Sequence, residues 1–114
     1  MSNEWQPADI YDVLSDDRVR QILMATNDAK RSAQDIAEIC DGSLSSIYRR
    51  LDVLTDYGLL EKEIQINQEG HHHSVYQPDF EAIYFRIRDS AMEVTLDFGQ
   101  EIETYTEQWS SLNL

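Results

Sequence analysis

Between Asp9 and Leu54 the apolar positions recur every three or four residues, and from Leu59 onward they come in short runs and alternations, which predicts helices followed by strands. Ile10, Val13 and Leu14 share one helical face, with Trp5 and Pro7 before them as an anchor. Ser15-Asp16-Asp17 offers an N-cap and first-turn acids to a second helix whose stripe is Val19, Ile22, Leu23 and Thr26. Asn27–Arg31 is polar and interrupts the pattern. Ser32 followed by Asp35 resembles a capping box and opens a short helix burying Ile36, Ala37, Ile39 and Cys40. Asp41-Gly42 closes it, because glycine tolerates the left-handed conformation of a helix end. Ser43 caps a fourth helix with the narrow stripe Leu44, Ile47, Leu51 and Leu54; Ser45, Ser46, Arg49, Arg50, Asp52 and Val53 occupy the rest of it. Tyr57-Gly58 stops this helix.

Leu59–Ile66 reads as a strand, Asn67–His73 as a loop turning at Gly70, and Ser74–Gln77 as the returning strand before Pro78. Beyond Pro78 two patterns compete. Ile83, Phe85 and Ile87 alternate with polar or amphipathic residues, as do Met92, Val94 and Leu96 across Asp89-Ser90-Ala91, which predicts a second hairpin. Phe98, Ile102, Tyr105, Trp109 and Leu112 follow at intervals of four and three, which suits a helix, either separate or continuous from Phe80. The hairpin followed by a helix from about Phe98 accounts for both patterns. The expected fold class is therefore α+β: a winged helix-turn-helix over residues 8–78, and an extension over 79–114 with a second hairpin and a terminal dimerisation helix.

A mostly polar helix after a tight turn suits a DNA major groove, which is about 12 Å wide and admits one helix. Ser43, Ser45, Ser46, Tyr48 and Arg49 lie near its N-terminus, and Arg50 about one turn further on. The run from Ser43 to Lys62, SLSSIYRRLDVLTDYGLLEK, resembles the recognition helix and first wing strand of ArsR-type winged-helix regulators, especially haloarchaeal ones. The earlier DVLSDDRVRQIL from Asp12 resembles that family's first core helix, so the similarity spans roughly Tyr11 to Pro78. It implies that Ser45, Ser46, Tyr48, Arg49 and Arg50 face DNA and that Leu51, Leu54 and Leu59 belong to the core. The paired cysteines of the family's metal-sensing members have no counterpart, since Cys40 is the only cysteine; it reads as a small buried hydrophobe.

Other candidates lie around this helix. Lys30 and Arg31 precede the third helix, whose positive N-terminus could hold a phosphate. His71, His72 and His73 sit where a wing tip would touch a phosphate or the minor groove; only His71 and His73 could share an ion, with no evident third ligand. The stripe Phe98, Ile102, Tyr105, Trp109 and Leu112 is the expected dimerisation surface, since such regulators read paired half-sites as two-fold dimers. No cofactor is expected. No Ser-His-Asp order, phosphate loop or zinc spacing stands out, so the expectation is a regulator and not an enzyme. The alternative is a winged-helix protein-interaction module of the transcription machinery, or an acidic DNA mimic.

Composition changes the picture at one point. A chain of 114 residues, 41% hydrophobic, supports one small domain with an appended pairing element. A lone cysteine suits a reducing cytoplasm, and no long apolar run suggests a membrane. The net charge of −13 normally argues against nucleic acid, because phosphate neutralisation by Lys and Arg supplies most of the binding energy. Its distribution softens that objection, since residues 16–76 hold 7 of the 9 basic residues and carry only −4. Acid excess with only two lysines, Lys30 and Lys62, resembles proteins of molar-KCl cytoplasms, where charges are screened within about 3 Å and cations can bridge acids to phosphates. The expected source is a halophilic archaeon. Helical circular dichroism should then rise toward a plateau as KCl approaches molar concentration; full structure in dilute buffer would overturn this.

Overall fold

Each of the last three helices starts where a short polar side chain can take up an orphan backbone N–H. The computed structural model describes residues 6–108, which form α1 (Pro7–Ser15), α2 (Asp17–Asp28), α3 (Ala33–Cys40), α4 (Leu44–Asp56), β1 (Leu60–Ile66), β2 (His72–Pro78), β3 (Ala82–Arg88), β4 (Ala91–Asp97) and β5 (Ile102–Gln108). Asp16 caps α2 by accepting from the Arg18 N–H, Ser32 caps α3 through Asp35, and Ser43 caps α4 through Ser46. The described residues pack as two units, 14–79, and 6–13 together with 80–108.

In the 14–79 unit the core is Val19, Ile22, Ala33, Ile36, Cys40, Ile47, Leu51, Leu54, Leu59, Leu60, Val75 and Tyr76. Thr26 is buried among them and donates its hydroxyl to the Ile22 carbonyl at 2.8 Å, which settles a polar group that would otherwise be costly there. β1 and β2 pair antiparallel with Leu60 opposite Pro78 and Ile66 opposite His72. The polar break after α2 joins this ribbon: Arg31 and Tyr76 exchange both backbone bonds, at 3.2 and 2.8 Å. A helix pair with a tight turn, a two-stranded wing and a one-residue third strand make a winged helix-turn-helix with a C-terminal extension, α+β in class.

Three local expectations are corrected. Asp41, not Gly42, takes the left-handed position at the end of α3, with φ 52 and ψ 47. Gly42 answers a different need, because a Cβ there would lie 3.3 Å from the Arg18 Nη1, which donates to the Cys40 carbonyl. Ile39 and Leu44, both expected in the core, are 53% and 39% exposed; Ala33, Ile36 and Cys40 bury α3, and Ile47, Leu51 and Leu54 bury α4. The second hairpin forms as expected, but no helix follows it within the described residues.

Ile102–Gln108 is the strand β5, which completes a three-stranded sheet in the order β3-β4-β5. The expected dimerisation helix is thus wrong for Ile102 and Tyr105, and Phe98 lies in the turn before them. Trp5, Trp109 and Leu112 fall outside the described residues. The physical reason is visible in Ile102-Glu-Thr-Tyr-Thr: β-branched and aromatic side chains alternate there, and Gly99 at φ +90 turns the chain back onto β4. Tyr105 lies opposite Val94 and Thr104 opposite Thr95, whose hydroxyls bond at 3.0 Å.

Leu51 is 1% exposed at the centre of the α4 stripe. Leu51→Ala should lower the unfolding free energy by about 2–5 kcal/mol in urea titrations, whereas Val53→Ala on the exposed face should change it by about 0.5 kcal/mol or less.

Candidate nucleic-acid interface

The exposed surface of α4 follows from how few of its residues are buried. With Ile47, Leu51 and Leu54 turned inward, Ser45, Tyr48, Arg49, Asp52, Val53 and Asp56 are left in solvent. Ser43 spends its hydroxyl on the cap, accepting from the Ser46 N–H at 3.3 Å. Ser46 is half-buried, and its carbonyl and hydroxyl both accept from Arg50.

The two adjacent arginines have different surroundings. Arg50 donates its Nε to Asp16 at 2.8 Å, so the same carboxylate that caps α2 also grips α4. Burial alone would raise the Asp16 carboxyl. The hydrogen bond and charge of Arg50, with the Arg18 and Val19 backbone N–H groups, outweigh it and leave the pKa below the usual carboxylate value. Arg49 points to solvent and forms no ion pair among the described residues.

The same sorting applies to the other cations of this unit. Arg18 holds the Cys40 carbonyl, and Arg20 pairs with Asp17. Lys30 bonds both oxygens of Glu63 at 3.1 and 3.2 Å; these bonds, then Gln65, then the Lys30 charge, lower the Glu63 pKa. Arg31 donates to the Ala25 carbonyl and to Asp28, each at 2.9 Å. Lys30 and Arg31 are therefore engaged within the fold. Among the described residues of the unit, Arg49 and Lys62 are the cations left without an internal acceptor.

Lys62 escaped the sequence reading, and the strand register explains its place. In the β1–β2 pairing Lys62 faces Tyr76, Ile64 faces Ser74 and Ile66 faces His72, so these six side chains share one face of the wing. At the base of that face, Ser32, Ala33 and Gln34 at the start of α3 join Tyr48, Lys62, His72, His73, Ser74 and Tyr76 around a cleft of about 400 Å³. The positive end of a helix, an ammonium group, hydroxyls and the His72 imidazole suit an anion. Tyr76 is almost fully buried; burial first, then the charges of Tyr48 and Asp52, raise its phenol pKa. Period-two parity from Tyr76 back through Ser74 was the signal available for Lys62, but it needs the register.

The wing tip is organised by Asn67. Its side-chain oxygen accepts from the Glu69 and His71 N–H groups at 2.9 Å each, its carbonyl accepts from Gly70 at 3.0 Å, and Gly70 sits at φ +82. His71 is in this loop, whereas His72 and His73 begin β2 and point to opposite faces. No group of three or more His, Cys, Asp or Glu among the described residues is placed to hold a metal ion. No helix among them is long and apolar enough to cross a membrane.

A family profile described as a helix-turn-helix domain matches residues 9–63, from α1 into β1. The chain has no significant match among curated proteins. The matched segment holds α4, the Asp16–Arg50 tie and Lys62, so at the level of class the chain is similar to DNA-binding helix-turn-helix regulators, the ArsR-like ones included.

Asp16→Asn keeps a capping side chain and removes the charge from the tie. Because the folded carboxyl has a depressed pKa, the pair stabilises the fold above the unfolded value of about 3.9 and is lost as pH falls through the folded value. The thermal midpoint of Asp16→Asn should lie below that of the unmodified chain at pH 7 and converge on it in acid below about pH 4.

Proposed function

We propose that this protein is a sequence-specific DNA-binding regulator of transcription, acting as a homodimer in a salt-rich archaeal cytoplasm. The helix from about Ser43 to Tyr57 enters the major groove, and the wing around Asn67–His73 lies against the backbone or the minor groove. The observation that carries this reading is the sorting of cations. Most are spent inside the fold, while Arg49 on the groove-facing helix and Lys62 on the wing are left over, close to Tyr48, which lines the same cleft as Lys62.

The roles divide accordingly. Arg49 is the residue fitted for bidentate contact with a guanine edge, with Ser45 and Tyr48 beside it. Lys62, His72 and Ser74, with the first turn of α3, hold a phosphate. Arg50 is a positioning residue that fixes the rotation of α4 through Asp16. Lys30 and Arg31 act through the wing and α2 and not by direct contact. No resident cofactor or catalytic turnover enters this reading. Cations bridge the remaining acids to phosphates, which makes a net charge of −13 compatible with DNA in molar KCl.

One observation favours a second reading. Asp52 and Asp56 are exposed on the C-terminal half of α4, an acidic face suited to docking on a basic protein of the transcription machinery. The discriminating variant is Arg49→Glu alone, because also replacing Arg50 would break the tie to Asp16. Against duplexes selected from a random pool, Arg49→Glu should lose at least about tenfold in affinity with its circular dichroism unchanged. Lys62→Ala should weaken all sequences alike. With two free cations per subunit, the slope of log affinity against log salt should be about −4 or shallower for a dimer. Unaltered DNA binding by Arg49→Glu, or a far steeper slope, would reject the proposal in favour of the docking module.

A further inference from the structure

Among the described residues the three-stranded sheet has two open edges, β3 and β5, and they are not equivalent. On β3, Tyr84, Phe85 and Ile87 are 57%, 50% and 74% exposed, and the strand Ala82-Ile-Tyr-Phe-Arg-Ile-Arg88 contains no acid, no proline and no glycine. An open strand of seven residues whose two charges, Arg86 and Arg88, are both drawn to Glu93 of β4 is a template for pairing, which folded proteins ordinarily blunt with unpaired charge, proline or a bulge. β5 is blunted: it carries Glu103 and Glu107 and no cation, in a chain already strongly acidic.

The geometry points to β3 as the surface through which two copies of this chain pair, edge to edge and antiparallel, joining their sheets into one of six strands. The inference rests on the homodimer proposed above and replaces the terminal helix as its seam. The register follows from the hairpin. Asp89 and Ser90, at φ 54 and 62, make a two-residue turn, so the flanking pair Arg88 and Ala91 exchange both backbone bonds. Alternation then turns the N–H and C=O groups of Arg86 and Tyr84 toward β4, and those of Ile83, Phe85 and Ile87 outward.

A two-fold axis through Phe85 uses all of these outward groups. Phe85 pairs with Phe85 of the second copy, and Ile83 with its Ile87. On one face the half-exposed apolar side chains then cover each other across the axis, continuing the row that Met92, Val94 and Leu96 form within each copy. On the other face Arg86 lies opposite Tyr84 of the second copy, a cation against a ring, and Arg88 lies opposite Ala82. No like charges face one another directly. Arg86 and Arg88 both bond the one carboxylate of Glu93, at 3.1 and 3.3 Å, so part of their charge is already offset within each copy. The pairing is isologous and closes at two copies, whereas β3 against β5 would propagate.

Sedimentation in molar KCl tests the assignment on the full chain, with circular dichroism confirming the fold of each variant. The unmodified protein and Ile102→Lys, a charge on the β5 edge, should be dimers, and Ile87→Lys should associate at least tenfold more weakly. In a Cys40→Ala background, oxidation should link Phe85→Cys into a disulfide dimer but not Arg88→Cys, whose copies would sit about 20 Å apart in this register. A dimer indifferent to Ile87→Lys, or one that crosslinks at 88 and not at 85, overturns the β3 seam and leaves the homodimer intact. A monomeric unmodified protein overturns both.

Discussion

Three side chains and one ion pair fix the helix on which the proposed function depends. α4 leaves most of its circumference to solvent, so only Ile47, Leu51 and Leu54 attach it to the core, and all are at most 1% exposed. A stripe that narrow sets the depth of a helix but resists its rotation poorly. Asp16 supplies the missing restraint, holding Arg50 from one side while capping α2 with the other oxygen. Packing, capping and the rotational setting of the exposed face therefore converge on one carboxylate, and Arg49 is exposed in a defined direction because Arg50 is not.

The same arrangement bears on how a strongly acidic chain could serve the proposed DNA-binding role. Affinity for DNA ordinarily grows with the number of phosphates neutralised. Here Lys30, Arg31 and Arg50 are engaged by Glu63, Asp28 and Asp16, and among the described residues of the 14–79 unit Arg49 and Lys62 are the cations left without an internal acceptor. Under the proposed function, recognition would lean on base contacts, on the start of α3 and on ions from the medium more than on a cationic field. The wing contributes through parity: because Lys62, Ser74 and His72 share a face, a strand with two glutamates on its other side still presents an ammonium group to the cleft.

The C-terminal strands show how two periodicities can coexist in one stretch. Phe98, Ile102 and Tyr105 satisfy a heptad spacing, but Ile102, Thr104 and Thr106 also alternate with Glu103, Tyr105 and Glu107. Strand propensity and the Gly99 turn decide for the sheet, since the hairpin of β3 and β4 offers an open edge that a third strand can satisfy along its whole length. Tyr105 then becomes a sheet residue whose hydroxyl bonds Glu103. Burial, followed by that bond and the charges of Glu103 and Glu101, pushes its pKa up to about 12.

What the sequence determined by itself is whatever depends on neighbours along the chain. The four helices with the Ser32 and Ser43 caps, the Gly58 stop, the wing around Gly70 and the second hairpin follow from local periodicity and turn chemistry, which act within about one turn or one strand pair. Tertiary structure alone decided which cations are free. Asp16 and Arg50 are 34 residues apart and Lys30 and Glu63 are 33 apart, so no local pattern could sort Arg49 from Arg50 or raise Lys62 above Lys30. It also decided the fate of Ile102 to Gln108, because a strand becomes more stable than a helix there only when another strand waits beside it to take up its backbone groups.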